Sequence, residues 1–337
     1  IQRFTALHTF QNLHNEYKRQ IHDFTIGHFF PSYSFDLDDT LYFFTSGRYE
    51  YRNKGMDLTL EALARLNWRM RQAGSTKTVV TFLISRRPVR TINVGAKHYG
   101  FKDVKGEEFR KVADEIKEEV GAGLFAAAVA GKVPDLNALI TEYWRLRLRR
   151  TMHAWKRSHL PPVVTHDLVD DRNDEVLNQI RAAQLFNHRH DPVKVIYHPD
   201  FITPTNPLFG MDYDQFVRGC HLGVFPSYYE PWGYTPLESI ALGVPAIASD
   251  LSGFGSYLRQ LLPNHEEKGL YVLRRRDVSW HESAQELADR MFRFTQLKRR
   301  DRINLRNTVE SFSEHFDWHN LGKFYAEAHE LALDRIG

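Results

Sequence analysis

The chain has 337 residues, enough for one large or two ordinary domains with a real core, and its 42% hydrophobic and 26% charged residues are ordinary globular values. A net charge of +3 gives no bulk electrostatic argument for nucleic acid, and the single Cys220 rules out an internal disulfide and fits a reducing compartment. No apolar run is long enough for a transmembrane helix and residues 1–20 lack the form of a signal peptide, so a soluble cytoplasmic protein is expected.

Ile1 leads straight into a helical pattern, which suggests a piece of a longer chain. Residues 5–28 carry apolar side chains at Leu7, Phe10, Leu13, Tyr17, Ile21 and Phe24, which is helical spacing. His8, Gln11, His14 and Lys18 recur every three or four residues and share one polar face, which read alone is a solvated face. A strand follows over Thr40–Thr45, then the loop SGRYEYRNKGMD and a helix from about Met56 to Gln72. Arg48 and Lys54 fall in that loop, at what would be the carboxyl edge of a sheet. Two cations there suit a diphosphate, which must be neutralised as it leaves; ordinary loop charge is the alternative. Lys77–Ser85 is a further strand.

The texture then changes. From Phe101 to about Ser158 the chain is helical and rich in Glu, Lys, Arg and Ala, in two segments near 107–129 and 135–156, with Pro134 between them and Pro161–Pro162 closing the stretch. The run RLRLRRTMHAWKR is basic but has no aromatic platform, so nucleic acid is the weaker reading and an oligomer contact the stronger. The α/β pattern resumes at Val163 with strand, loop and helix, and Val193–Tyr197 is another strand. Phe201 and Tyr213, in or beside the next loop, are available to stack on a flat base or to fill core.

From His221 to Ser256 the sequence reads as strand, loop, helix, strand. Leu222–Phe225 is short enough for a buried parallel strand, and the loop Ser227–Tyr234 is stiff with Pro, Gly and aromatic residues. Thr235 as N-cap, Pro236 at the first helical position and Glu238 beyond it predict a helix start; Gly243 predicts its stop, with a strand over Val244–Ala248. In an open α/β sheet such a turn points free N–H groups at a ligand, so Tyr234 and Thr235 are placed to hold a phosphate. Glu230 and Glu238 beside an anion site make sense as acceptors for sugar hydroxyls; otherwise Glu238 is a capping-box residue and Glu230 a solvated acid. Near the end, Tyr271–Leu273 is a strand and 281–296 an amphipathic helix. A further helix places Arg299, Arg302 and Arg306 on one face, to be relieved by solvent or by an anion.

The string FPSYYEPWGYTPLE with GVPAIASDLSGFGSY, the loop GRYEYRNKG, and the segments PPVVTH and HPDF resemble the eukaryotic-type glycogen synthases, retaining glycosyltransferases that use UDP-glucose. The resemblance runs from about Leu7 to Ala332, weakest over 86–160, and matches their carboxyl-terminal half. It implies an α/β, Rossmann-like carboxyl-terminal domain of a GT-B enzyme with a long helical insertion. The organisation would be a helix over 1–30 bordering an activator site, a first Rossmann part over 31–100, an oligomerising insertion over 101–160, and the second part with closing helices over 161–337. It implies that Arg48 and Lys54 clamp the leaving UDP in place of a metal, with Glu230 holding glucose and supporting the oxocarbenium-like state. Phe201 and Tyr213 would sandwich uracil and Glu238 would hold the ribose, while Trp232, Gly233, Tyr234 and Thr235 complete the donor set.

No cofactor is implied. The activator would be glucose-6-phosphate, held by His8, Gln11, Lys18, Arg302 and Arg306, although Thr308 and Ser311 stand where the family has further arginines. Partners implied are glycogen or maltooligosaccharide, a homotetramer through the insertion and a glycogenin-like primer protein, with no nucleic acid and no membrane. Two rivals stand beside this reading: a retaining transferase with another nucleotide sugar, and a non-catalytic sugar-phosphate-binding or assembly module.

Overall fold

The computed structural model describes residues 7–93 and 104–335, apart from the side chains of 7–10, 104–107 and 136–137. Its centre is a six-stranded, all-parallel sheet built from β1 (Thr40–Ser46), β2 (Thr78–Ile84), β5 (Val193–His198), β6 (Leu222–Phe225), β7 (Ala246–Ser249) and β8 (Leu270–Leu273). The order across the sheet is β5-β2-β1-β6-β7-β8, with β1 paired in parallel to β2 on one side and β6 on the other. That is the doubly wound order, in which the chain builds outward from β1 one way and then returns to build the other way.

Burial on both faces explains why these strands read as continuous apolar runs instead of alternating ones. From β1, Tyr42 and Phe44 point into one layer with Phe82, Phe216 and Ile240, while Leu41 and Phe43 point into the other with Leu63, Leu66 and Met291. The first layer is roofed by α1 (Leu7–Phe29), α7 (Tyr213–Gly219), α8 (Tyr234–Ala241), α9 (Gly253–Leu261) and α11 (Arg299–Phe312). The second is covered by α2 (Met56–Gln72), α6 (Glu175–Ala182) and α10 (Trp280–Gln296). The chain ends in an exposed helix, α12 (Trp318–Asp334).

Three features depart from the sequence expectation. The strand expected from Val163 is only a single parallel bridge from Val164 to Tyr197. The chain then turns away: β4 (His166–Leu168) pairs antiparallel with β3 (Val89–Ile92), a strand that periodicity did not reveal, in a separate two-stranded ribbon. The helical stretch carries α3 (Val104–Val129), but the single helix expected over 135–156 is broken into α4 (Leu136–Leu139) and α5 (Glu142–Trp155). The expected boundary at residues 100–101 lies outside the described residues. Finally, α8 begins at Tyr234 with Gly233 as its N-cap, not at Pro236 after a Thr235 cap. Gly233 sits at φ 124°, a region closed to side-chain-bearing residues, so the glycine sets the start of the helix.

Helix α3 packs along α5, with Arg147 bound to Glu115 at 2.6 Å and Phe109 stacked on Trp155 at 5.5 Å between centroids. This hairpin leaves Phe125, Val129, Tyr143 and Leu146 each more than half exposed.

Candidate active site

The winding direction reverses between β1 and β6, and the loops leaving the carboxyl ends of those two strands converge there. In a doubly wound sheet that crevice is where ligands bind. From β1 come Gly47, Arg48 and the turn to Lys54; from β6 come Ser227, Glu230 and the start of α8.

The two loops are locked to each other through backbone. Tyr228 donates its N–H to the Asn53 carbonyl at 2.7 Å, and Gly55, at φ 67°, passes so close to Pro226 that a Cβ would stand 2.1 Å from its carbonyl oxygen. Gly253 does the same for the far end of the loop, its N–H bonded to the Glu230 carbonyl at 3.0 Å and its missing Cβ only 2.1 Å from the Pro231 carbonyl oxygen. Held this way, Lys54 Nζ meets Glu230 Oε1 at 2.7 Å with both side chains about five-sixths buried, at 15% and 16% exposure. The second carboxylate oxygen accepts from the buried Ser227 hydroxyl at 3.0 Å. A diphosphate entering the crevice would compete with Glu230 for the lysine. Arg48 is different: its side chain is 84% exposed and its partner is Glu50 at 3.3 Å.

Beside this pair lies a cleft of about 580 Å3 whose lining includes Arg48, Phe201, Tyr213, Thr235 and Glu238. Its floor is fixed by the Tyr213 and Ser46 hydroxyls, 2.5 Å apart, and burial drives the Tyr213 phenol upward so that it stays protonated. Phe201 stands 57% exposed at the mouth, with the Arg86 guanidinium 5.2 Å from its ring centroid. A cation on one face of an exposed ring leaves the other face for a flat ligand. Desolvation, and then the charge of Asp214, raise the Glu238 carboxyl above its ordinary range. The first backbone N–H groups of α8 have no partner inside the helix, so Tyr234 and Thr235 carry donors at its amino end. The Trp232 ring turns inward, edge-on to Phe254 and packed on Tyr257 and Phe316, and Gly233 is buried beneath it. Those two act on the loop's shape; the lining of the cleft is made by others.

A second set of expected residues gathers on the sheet's other end, where α1 crosses α11. Burial lowers the Lys18 ammonium, Asp38 opposes that, and Arg299, Arg302 and Arg306 lower it further. Arg302 donates to the Leu297 carbonyl at 2.5 Å. Arg306 is 4% exposed and donates to the carbonyls of Cys220 at 2.6 Å and Arg218 at 3.4 Å, closing the end of α7. It is therefore a buried structural cation as much as a face of the cluster. Gln11 bonds Asn15 one turn on, at 3.3 Å; the side chain of His8 lies outside the described residues.

Three histidines complete this site. His14 and His221 meet edge to face at 5.2 Å; His14 donates Nδ1–H to the Arg218 carbonyl at 2.8 Å, and His221 Nδ1 accepts the Tyr42 N–H at 3.0 Å. His22 lies 2.7 Å from the Tyr42 hydroxyl, and burial, followed by Lys18, pushes it down to about 4. The polar face of α1 included His14, but nothing in sequence ties it to His221, because their meeting is made by the fold. Among the described residues no group of three or more His, Cys, Asp or Glu side chains is arranged to hold a metal.

The family model for glycogen synthase matches residues 1–337. A glycogen (starch) synthase of Neurospora crassa is 46% identical over 343 residues, covering 99% of this chain and 48% of that protein. One from Dictyostelium discoideum is 48% identical over 339 residues, 99% and 38% respectively, and isoform 2 of Saccharomyces cerevisiae is 46% identical over 345 residues, 99% and 48%. The chain thus spans about half the length, or less, of the curated relatives it matches.

Proposed function

This chain belongs to the glycogen synthase family, and on that footing we propose that it is the donor-binding portion of a retaining, GT-B-type glucosyltransferase. The reaction is transfer of glucose from UDP-glucose to the non-reducing 4-hydroxyl of an α-1,4-glucan. Lys54 and Arg48 neutralise the diphosphate as it departs, aided by the amino end of α8 at Thr235. Glu230 holds the sugar and offsets the positive charge that grows on it; Glu238 takes the ribose hydroxyls, and Phe201 with Tyr213 brackets the uracil. The observation that carries this reading is the Lys54–Glu230 pair at 2.7 Å, cation against carboxylate at the switch point, with the aromatic-mouthed cleft alongside. No resident cofactor or metal is required, because two side-chain cations take the place of one.

Calorimetric titration of UDP into the chain tests it. Saturable binding should weaken at least tenfold in both Lys54→Ala and Phe201→Ala. A folded chain in which either change leaves the affinity untouched would end the assignment of that residue.

The same reading extends to regulation and assembly. Lys18, Arg302 and Arg306 with the flanking histidines suit a sugar phosphate such as glucose-6-phosphate, with Gln11 and His8 on the adjoining helix. The exposed apolar residues of α3 and α5 suit a homotetramer contact. A glycogenin-like primer protein would supply the first glucan. No helix among the described residues is long and apolar enough to cross a membrane, in keeping with a cytoplasmic enzyme.

A further inference from the structure

Strand order places the exit of β2 between those of β5 and β1, so the connection that follows it, Ser85 to Pro88, runs between the two loops that wall the nucleotide cleft. Backbone fixes it there. Ser85 donates its N–H to the His198 carbonyl at 3.2 Å and Arg87 donates to the Pro199 carbonyl at 3.1 Å, while Gly47, at the start of the Arg48 loop, donates to the Ile84 carbonyl at 3.2 Å. The two arginines in this connection reach different walls. Arg86, itself in the lining of the cleft, lays its guanidinium 5.2 Å from the centroid of the Phe201 ring. Arg87 lays its own 4.1 Å from the centroid of Tyr49, the residue next to Arg48.

Arg87 is anchored at its other edge. Its Nε donates to Asp174 Oδ2 at 3.2 Å, and Asp174 is wholly buried, accepting also from the Tyr197 hydroxyl at 3.2 Å and, as the cap of α6, from the Leu177 N–H at 2.9 Å. The Tyr49 hydroxyl accepts the Glu175 N–H at 3.0 Å, in the first turn of the same helix. The Tyr49 ring is thus gripped on its face and at its hydroxyl, and both grips run back to α6. Arg48 itself stands 84% exposed, so the backbone that aims it is set by the tyrosine beside it. On the other wall, the Asn206 amide holds the Phe201 carbonyl at 3.3 Å, but the Phe201 ring stands 57% exposed and meets the Arg86 guanidinium.

We propose that Arg86 and Arg87 are positioning residues that brace the two walls of the cleft before the nucleotide enters, Arg86 by setting the plane of the Phe201 ring and Arg87 by fixing, through Tyr49, the turn that presents Arg48. The identity of the ligand rests on the donor reading above; the bracing rests on the contacts themselves. A cation on an exposed ring is a weak contact, and it counts most where it saves the ligand the cost of ordering a wall. A guanidinium suits the task because its face stacks on a ring while its edge donates to a carboxylate, as Arg87 does with Tyr49 and Asp174. The two braces act on different parts of the ligand: Phe201 faces the base, and the Tyr49 turn presents Arg48 to the diphosphate.

Parallel titration of uridine and of UDP separates the braces, since uridine lacks the diphosphate. Arg86→Met should weaken both ligands about threefold, whereas Arg87→Met should weaken UDP about fivefold or more and leave uridine within about 1.5-fold. In Arg87→Met the buried Asp174 keeps the Tyr197 hydroxyl and the Leu177 N–H, so α6 stays capped. Tyr49→Leu, which leaves the pair of Arg87 with Asp174 in place, should repeat the Arg87→Met pattern. General loosening of the fold would lower both ligands together in every variant. That result, or parent-like UDP binding in Arg87→Met and Tyr49→Leu, overturns the proposal. So does an Arg86→Met variant that loses UDP alone, which would put that guanidinium on the phosphates. Hydrogen exchange read by mass spectrometry tests the bracing without any ligand: residues 47–54 should exchange faster in Arg87→Met, and residues 200–206 in Arg86→Met. A parent that fails to bind UDP, with exchange changed as expected, would strike the donor reading and leave the braces standing. Unchanged exchange in both segments overturns the braces whatever binds.

Discussion

Acidification should destabilise this chain well above the pH at which its carboxylates titrate, and the buried histidines set the size of the effect. His28 is enclosed between Phe24 and Phe29, donates Nε2–H to the Pro162 carbonyl at 2.7 Å, and is pushed by burial down to about 4. His198, under Phe209 and 2.9 Å from the Thr165 hydroxyl, is pushed by burial down to about 3. In the unfolded chain both titrate near 6.5. A histidine with a depressed folded pKa favours the native state fully above the unfolded value. That contribution is lost as pH falls from about 6.5 toward the folded value, because only the unfolded chain takes up the proton. Between pH 7 and pH 5 the loss is about 1.9 kcal/mol for each, or nearly 4 kcal/mol for the pair, out of a total of about 5–15 kcal/mol. His14, His22, His166 and His221 are depressed in the same direction and add to it. Urea unfolding followed by circular dichroism at pH 7.5 and 5.0 reads this directly. With a slope of about 3 kcal/mol per molar urea, the midpoint should drop by more than about 1 M. Midpoints within about 0.3 M of each other would refute the claim that these rings are neutral in the native state.

The other loop and surface features give sharper local tests. Gly55→Ala meets both a positive φ and the Pro226 carbonyl, so a loss of about 2–4 kcal/mol in urea unfolding is expected together with weakened UDP binding; a near-neutral variant would show that the loop contact is soft. Ser227→Ala should cost about 1–2 kcal/mol, and a double-mutant cycle with Glu230→Gln should return a coupling near 1 kcal/mol, whereas strict additivity would mean the hydroxyl does not position the carboxylate. Phe125→Glu on the exposed face of α3 should leave the melting temperature within a few degrees while reducing the mass seen by light scattering; an unchanged mass would remove that helix from the interface.

Much of the α/β frame was legible because strands buried on both faces make uninterrupted apolar runs and helices between them carry caps and stops. Leu222–Phe225 and Met56–Gln72 form with the bounds their apolar patterns predict. The failures are equally physical. The ribbon of β3 and β4 has little apolar character, since VRTI alternates no buried face, so pattern reasoning passes over it. Thr235 looked like a cap because its chemistry is right, but a glycine able to reach φ 124° ended the loop one residue pair earlier. Trp232 stands in the donor set only through the family resemblance; its ring packs inward against Phe254, Tyr257 and Phe316, a contact the string EPWG does not announce. Ser227, Arg86 and the meeting of His14 with His221 were invisible, because each depends on a contact made only when distant segments fold together.

The concentration of positive charge where α1 crosses α11 has a consequence that a non-titrating anion can expose. Lys18, His14 and His221 face Arg299, Arg302 or Arg306 and His22 faces Lys18, with Asp38 and Asp39 as the nearby acids, and Lys18 and the three histidines are pushed toward their neutral forms. A dianion bound among them reverses part of that pressure and raises their pKa values. By linkage it must bind more tightly as pH falls, since each complex takes up protons that the free protein does not hold. Sulfate keeps its two charges across the range and so isolates the protein's own titration. Its affinity should rise about threefold from pH 7.5 to 6.0, and His14→Gln should flatten the dependence. Arg306 is tied to the Cys220 carbonyl at the entrance to β6, and the far end of that four-residue strand leads to Ser227 and Glu230. Sulfate affinity that is flat or weaker at pH 6.0 would show that the cluster is already compensated, and would remove the electrostatic basis for an activator site at this crossing.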